Sequence, residues 1–561
     1  MPAPPRRLCR LAVCLPLLAL CQQPRGSATH ADVVVCPASS AEPGTIPKYN
    51  VLLVVADDLD AVLDGPLHLP ATRALIADRG VAMERFYAST PICCPSRAEL
   101  LSGRYWHNVR ASGLGAGPAC MGVNVSAAVG DAGYKVFYED AYLLGAFGRA
   151  GYTVGVFGKH LNSENPSCPP PGIDRWFVNG GGNYVNPTFT DASAGSASTV
   201  AAFDNCTAAA PNVLRGSCYS TTVIGNATKR WLDDHHRRRA AGNTAKPFFA
   251  YVAVKAPHVQ DGPGWPLPVA APWTAPANAS NAAPRTPAYN CSAAARSGHH
   301  WLVRSQPLMT AEEGMRTDAL YDARSRSLAA VDGVVSDLVS AVEASGAAEE
   351  TFFVFTSDHG YRYGQWAIPQ GKWHAYENDV RVPLYIRGPG VASTPRAREA
   401  LASLVDLLPT LAGLAGVDIG AEFDGADLSH MLAAAASQIA SGATAGPPRA
   451  RTQLLLEYAS GGDVVRYAHL EDTLNNTFNA LRQVDASKPA GQRNLKYVEF
   501  RDSGQDWAAT AAPIENEFFD LDEDPFEMHN LYAASDDVLK RQLRNDLHRL
   551  ATCKGPSCRE H

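Results

Sequence analysis

Four short apolar runs constrain this chain more than any other feature. Val51–Ala56, Gly151–Phe157, Lys246–Val254 and Thr351–Thr356 are each of strand length and almost free of charge along their cores. Runs of this kind fit strands buried on both faces, as in a sheet covered by helices. Between the third and fourth runs, Leu320, Leu328, Val331, Val335, Leu338 and Val342 recur at helical spacing. Thr310 and Glu313 stand at capping-box spacing before them. Alternating helix and strand is the mark of an α/β sheet flanked by helices.

Each run ends in residues that carry chemistry. Asp57–Asp58 follow the first, Lys159 ends the second, Lys255-Ala-Pro-His258 follows the third, and Asp358–His359 follow the fourth. Sites in open α/β sheets form at the carboxyl ends of strands. Adjacent carboxylates repel unless a cation lies between them. A hard divalent ion with oxygen ligands answers that requirement, whereas an Asx turn accounts for one Asp more easily than for two. Taken singly, Lys159 reads as an exposed lysine and His258 as a structural histidine.

The segment Pro91-Ile-Cys-Cys-Pro-Ser-Arg-Ala-Glu-Leu-Leu-Ser-Gly-Arg104 is the other dense stretch. Pro95 suits a first helical position, and Ser96 with Glu99 has capping-box spacing. The reading places Cys93 or Cys94 at a helix N-terminus, where free N–H groups favour anions. Arg97 adds a fork that can hold two oxygens of a tetrahedral anion. The bland alternative is a pair of disulfide-bonded thiols.

This segment resembles the signature of the sulfatase family, C-x-P-S-R followed by L-x-G-R. Only Cys93 has the right offset to Pro95 and Arg97. The resemblance continues through the Gly158-Lys159, Ala256-Pro257-His258, Asp358–His359 and Gly364–Pro383 blocks to Glu517–Leu531, covering roughly residues 45–545. It is nearest the algal and fungal arylsulfatases, with similarity to N-acetylglucosamine-6-sulfatases. Position 161 is Leu, where many arylsulfatases carry His, and His160 lies one residue off.

The resemblance implies an alkaline-phosphatase-like fold: a large mixed sheet flanked by helices, with a smaller C-terminal domain of antiparallel sheet plus helix. It implies a sulfuric ester hydrolase acting on aryl or sugar sulfates through a formylglycine made from Cys93. One Ca²⁺ is implied, with Mg²⁺ as the alternative, bound by Asp57, Asp58, Cys93, Asp358 and His359. The implied catalytic residues are Cys93, Arg97, Lys159, His258 and Lys372. In that scheme hydrated formylglycine attacks sulfur, the cation and two lysines neutralise the oxygens, and His258 protonates the leaving alcohol. A formylglycine-generating enzyme would be the maturation partner. The alternatives are a 6-sulfatase of N-acetylglucosamine type and a metal-dependent phosphatase or phosphodiesterase of the same superfamily. An inactive glycoprotein and a structural wall protein are alternatives of another class.

The chain has 561 residues, enough for one large domain and a smaller one. The expected division is a signal peptide at 1–28, a catalytic domain at 45–435 and a small domain at 450–561. Arg6, Arg7 and Arg10 before the Leu11–Leu20 run read as a secretory signal. Export then places the protein outside the cell or in a periplasmic or cell-wall space, rather than a lysosome-like compartment. Sequons at Asn124, Asn205, Asn226, Asn278, Asn290 and Asn475 agree with N-glycans. No run is long enough to span a membrane, and a net charge of −7 with scattered basic residues gives no nucleic-acid surface. Of 13 cysteines, three leave with the signal. Setting Cys93 aside leaves nine, so one more is unpaired, and Cys553 with Cys558 can close a small loop.

Overall fold

The structure, a computed structural model, describes residues 48–111, 137, 142–162, 169–196, 198–203, 218–244, 246–260, 265–271, 273–274, 281–420, 422–433, 451–460, 476–502 and 512–559. The expected signal at 1–28 and the sequons at Asn124, Asn205, Asn278 and Asn475 lie outside these residues. The two remaining sequons lie in folded surroundings. Asn226 is within a helix, and the Asn290 carboxamide bonds the Met309 backbone on both sides.

The apolar runs form adjacent strands of a nine-stranded sheet. They are β1 (Asn50–Ala56), β4 (Thr153–Lys159), β8 (Phe248–Ala253) and β9 (Thr351–Ser357). The remaining members are β2 (Val81–Met83), β5 (Arg175–Asn179), β6 (Thr188–Ser193), β7 (Thr199–Ala202) and β10 (Leu384–Arg387). Their order is β2-β10-β9-β1-β8-β4-β5-β6-β7. The five central strands from β9 to β5 are parallel, and the outer pairings are antiparallel.

Uninterrupted apolarity has a direct cause. Along β1, Val51, Leu53 and Val55 enter one core while Leu52, Val54 and Ala56 enter the other. Alternate side chains of a strand point to opposite faces, so a strand covered on both sides must be apolar throughout. The first core is closed by α1 (Cys93–Ser102) and α4 (Leu404–Ala415). The second is closed by α2 (Ser220–Ala240) and α3 (Ala311–Ala344). Each large side chain so buried contributes about 1.5–3 kcal/mol. The capping box expected at α3 is present: the Glu313 N–H donates to Thr310 Oγ1 at 3.2 Å and the Thr310 N–H to Glu313 Oε2 at 2.7 Å.

A two-stranded parallel sheet pairs β3 (Arg85–Tyr87) with β11 (Leu401–Ser403), and a four-stranded antiparallel sheet holds β12 (Gln453–Tyr458), β13 (Thr477–Val484), β14 (Asn494–Arg501) and β15 (Glu515–Asp520) in that order. One face packs on α5 (Asp537–Ala551) through Leu543, Leu547 and Leu550. The other meets Tyr87, Val380 and Leu401 of the large-sheet region. β13 had no distinct signal in the sequence.

Residues 71–84 read as helical, yet helix stops at Ala77 and β2 follows. Gly80 lies against the Ile386 backbone, where a Cβ would come within 2.1 Å of the carbonyl oxygen. That close approach lets β2 pair with β10, and tertiary pairing overrides the local helix preference.

Among the described residues Cys93 and Cys291 are free and buried, and Cys553 is bonded to Cys558. Cys291 is thus a second unpaired thiol among the described residues, in keeping with the odd count. No helix among the described residues is long and apolar enough to cross a membrane.

The segment after α1 is tied to the four-stranded sheet through His107, whose Nδ1 lies 3.1 Å from Glu457 and whose Nε2 meets the Cys553 carbonyl at 2.9 Å. Burial lowers its proton affinity, but Glu457 outweighs burial and lifts the imidazole to about 9. The folded value lies above the ordinary one, near 6.5, so the stabilisation is full below about pH 6.5 and gone once the pH passes about 9. His107→Gln should lower Tm clearly at pH 6.5, by the equivalent of about 3 kcal/mol. Thermal melts across pH 6–10 should show the gap to wild type narrowing as the pH approaches 9.

Candidate active site

The site lies at the carboxyl edge of the parallel strands. The register pairs Ala56 with Ser357, Val55 with Ala253 and Gly158 with Ala253. Asp57, Asp358 and Lys159 therefore leave the sheet at one level. Four separate stretches of sequence converge because their strands are neighbours, parallel and in step.

Across this edge lies α1. Its first turn begins at Cys93, after Ile92 in an extended N-cap conformation. The helix thus starts two residues before Pro95, and the Ser96–Glu99 capping box does not form. Ser96 is already inside the helix, donating to the Cys93 carbonyl at 3.2 Å. The buried Glu99 accepts from Thr90 and from the Trp106 N–H instead. Burial, with Glu457 nearby, holds the Glu99 carboxyl well above its usual range. Cys94 is disulfide-bonded, whereas Cys93 is free.

Cys93 Sγ lies 3.6 Å from Asp57 Oδ1, 3.3 Å from His359 Nε2 and 3.1 Å from Lys372 Nζ. Burial and Asp57 push the thiol up, but Lys159, Lys372 and His359 prevail and hold it well below the ordinary thiol value. Arg97, one turn along α1, is completely buried. Its Nε donates to Asp358 Oδ2 at 2.9 Å and its Nη1 to the Lys159 carbonyl at 2.7 Å, and its Nη2 stands 3.5 Å from Asp57. Lys159 pairs with Asp57, and Lys372 Nζ bonds Asp58 Oδ1 at 2.7 Å. His258 Nε2 lies 3.9 Å from Asp58 Oδ2, and its Nδ1 meets the Val259 carbonyl at 2.6 Å. A carbonyl only accepts, so Nδ1 carries a proton. Burial disfavours the imidazolium, but Asp58 and Asp57 outweigh it and raise His258.

All nine residues expected at the site are together. His160 is not among them. Its Nε2 lies 2.8 Å from the Tyr142 hydroxyl and its ring meets Trp176 edge-on, inside the core. Burial, with Arg97 adding to it, brings this imidazole down to about 3.

The donor set fits a hard cation. Ligand atoms of Asp57, Cys93, Asp358 and His359 lie within 4.8 Å of one another, as do those of Asp57, Asp58, Cys93 and His258. Among the described residues, Asp58 Oδ2 is buried without a hydrogen-bond partner, and a metal ion would supply one. Burial and the charge of Asp57 push Asp358 up to about 6, although Lys159 and the other cations hold Asp57, itself buried, well below the usual range. A dication between the two carboxylates would end that competition. His359 donates from Nδ1 to the Gly360 carbonyl at 2.9 Å, which aims Nε2 inward as a ligand would require.

Sequence reasoning missed the supports. Lys372 sits on a loop with left-handed backbone at Trp366, Ala367 and Trp373, an uncommon conformation for bulky residues. Arg362, paired with Asp379, donates to the Lys372 carbonyl at 3.0 Å and holds that loop. Their pattern in the sequence is that of any surface ion pair. Only burial shows the role.

A family model described as Sulfatase matches residues 49–417. This chain belongs to the sulfatase family. The human N-acetylglucosamine-6-sulfatase is 27% identical over 542 residues, covering 91% of this chain and 86% of that protein. The arylsulfatase of Chlamydomonas reinhardtii is 25% identical over 554 residues, covering 93% and 77%. Among solved structures, BT4656 in complex with its substrate D-glucosamine-2-N,6-O-disulfate superposes with a TM-score of 0.58 at 19% identity, covering 90% of this chain and 97% of that one. The phosphonate monoester hydrolase of Silicibacter pomeroyi gives 0.56 at 19%, with coverage of 90% and 97%. The alkaline-phosphatase-like fold of sulfatases is therefore shared, and this sulfatase is a sulfuric ester hydrolase.

Elemental analysis of the purified sulfatase should find about one divalent ion per chain. Asp358→Asn should lower its affinity at least about tenfold, measured by competition with a chelator. Arg97→Lys cannot span Asp358 and the Lys159 carbonyl together, and should lower kcat/KM about 100-fold.

Proposed function

We propose that this sulfatase is an exported enzyme that hydrolyses aryl or sugar sulfate esters, using an aldehyde made from Cys93 and one bound calcium or magnesium ion. One observation carries the reading. Cys93 is a free thiol at the start of α1, within 3.6 Å of Asp57, His359 and Lys372, while adjacent Cys94 is disulfide-bonded. A cysteine of the covalent framework would be paired, as its neighbour is.

When present, the cation would offset charge on the sulfate oxygens, and the hydrated aldehyde would supply the attacking oxygen. The chain's own groups do the rest. Lys159 and Lys372 flank position 93 and would bind the ester's outer oxygens. Donors so placed in a dry site are worth about 2.7–4 kcal/mol each. Arg97 holds Asp358 and the level of Lys159. As the S–O bond breaks, its electron pair goes to the leaving oxygen, which takes the Nε2 proton of His258 and leaves a neutral imidazole.

The naming of several relatives as N-acetylglucosamine-6-sulfatases, across about nine-tenths of this chain, supports a sugar 6-sulfate among the substrates. Export is supported by the Drosophila relative named as an extracellular sulfatase, 30% identical over 387 residues, and by the disulfides. Maturation would then involve a formylglycine-generating enzyme, with N-glycans on the exported chain. The nine-stranded and four-stranded sheets support a catalytic domain at 45–435 and a small domain at 450–561.

Mass spectrometry of the tryptic peptide holding residue 93 should show the aldehyde in place of the thiol. An unmodified thiol or a disulfide in the active protein would overturn the assignment. Cys93→Ser should accumulate a covalently sulfated protein and lose at least about 10³-fold in turnover. On a substrate panel, sulfate esters should be cleaved in preference to phosphate mono- and diesters of the same alcohol. The reverse order would favour the phosphatase reading.

A further inference from the structure

Among the described residues, His258 makes no hydrogen bond through the nitrogen that faces the site. Its Nε2 stands 3.9 Å from Asp58 Oδ2, beyond hydrogen-bond range. The aim of the ring therefore depends on its own main chain and on the bond from Nδ1 to the Val259 carbonyl. What holds that main chain is a second loop, which follows β5.

Four hydrogen bonds join the two loops. The Tyr184 hydroxyl donates to the His258 carbonyl at 2.7 Å. Lys255 Nζ donates to the Gly182 carbonyl at 2.6 Å. The Tyr184 N–H donates to Gln260 Oε1 at 2.8 Å, and Gln260 Nε2 to Asn183 Oδ1 at 3.1 Å. Tyr184 is fully buried, with Lys255 Nζ 5.5 Å from its ring centre and the Tyr219 ring at 5.6 Å. The loop is anchored in turn. The Ser220 N–H at the start of α2 donates to the Tyr184 carbonyl at 2.7 Å, and Val185 bridges to Tyr219.

Burying an ammonium is costly unless it is well paired. Here the Lys255 ammonium joins a glycine loop to the histidine-bearing loop. Gly181 and Gly182 take left-handed backbone there, and a Cβ on Gly181 would touch the Lys159 side chain at 3.7 Å. The loop thus spans from the sulfate-facing lysine to the proton-bearing histidine.

We infer that Tyr184 and Lys255 are positioning residues for the leaving-group end of the site, acting through His258 without touching the ester. The inference rests on the reading of His258 as proton donor. Misplacing that donor harms only those substrates whose leaving oxygen needs the proton. Leaving groups of low basicity depart without it.

The test compares Tyr184→Phe, Lys255→Met and His258→Ala in the mature enzyme on 4-nitrophenyl sulfate and phenyl sulfate. Tyr184→Phe should lower kcat/KM about tenfold on phenyl sulfate and less than about threefold on the nitrophenyl ester, with Lys255→Met following the same pattern. His258→Ala should lose about 100-fold or more on phenyl sulfate. Equal losses on both esters for Tyr184→Phe, beside a discriminating His258→Ala, would overturn the positioning role alone. A His258→Ala enzyme that does not discriminate would overturn the donor reading and the inference with it. A crystal structure of Tyr184→Phe should show the His258 ring displaced or split, and a ring still on the Val259 carbonyl would count against the role whatever the kinetics.

Discussion

Arg97 is the contact on which the rest of the site depends. Its guanidinium is wholly buried and reaches three strands from a helix that crosses them: Asp358 after β9, Asp57 after β1 and the carbonyl of Lys159 on β4. A buried charge persists only when paired and hydrogen-bonded. Arg97 therefore ties α1, and with it Cys93, to the carboxyl edge of the sheet. Each member of this set would be expensive to bury without the others.

The same balance explains how the centre can accept a charged ester. Three carboxylates face three fixed cations, Arg97, Lys159 and Lys372, around one sulfur atom. Asp57 and Asp58 would hold a dication, and the lysines that pair with them now, Lys159 and Lys372, would then be available to incoming oxygens. That arrangement suits a site whose substrate is an anion and whose own acids must stay ionised in a dry interior.

Local patterns were dependable where they described buried strands and the acids that follow them. β1, β4, β8 and β9 lie where uninterrupted apolarity placed them, and Thr310 caps α3 as its spacing implied. They failed where tertiary contact competes with local preference. Ser96 and Glu99 have the letters of a capping box, but the helix begins earlier and Glu99 is drawn to Thr90 and Trp106. Residues 81–83 look helical in isolation and become an edge strand because Gly80 admits β10. β13 is a polar-looking segment whose partners lie on both sides of it in space.

By itself the sequence determined the parallel-sheet class, the residues at the strand ends and the family to which they belong. Apolar run length, adjacent charges and motif spacing are local properties that survive without coordinates. Only the tertiary structure decided that His160 turns into the core, that Cys94 is disulfide-bonded, and that Tyr184, Lys255 and Arg362 hold the centre in place. Those outcomes depend on register between strands about a hundred or more residues apart. One step of register moves a side chain to the opposite face, and no local pattern encodes that step.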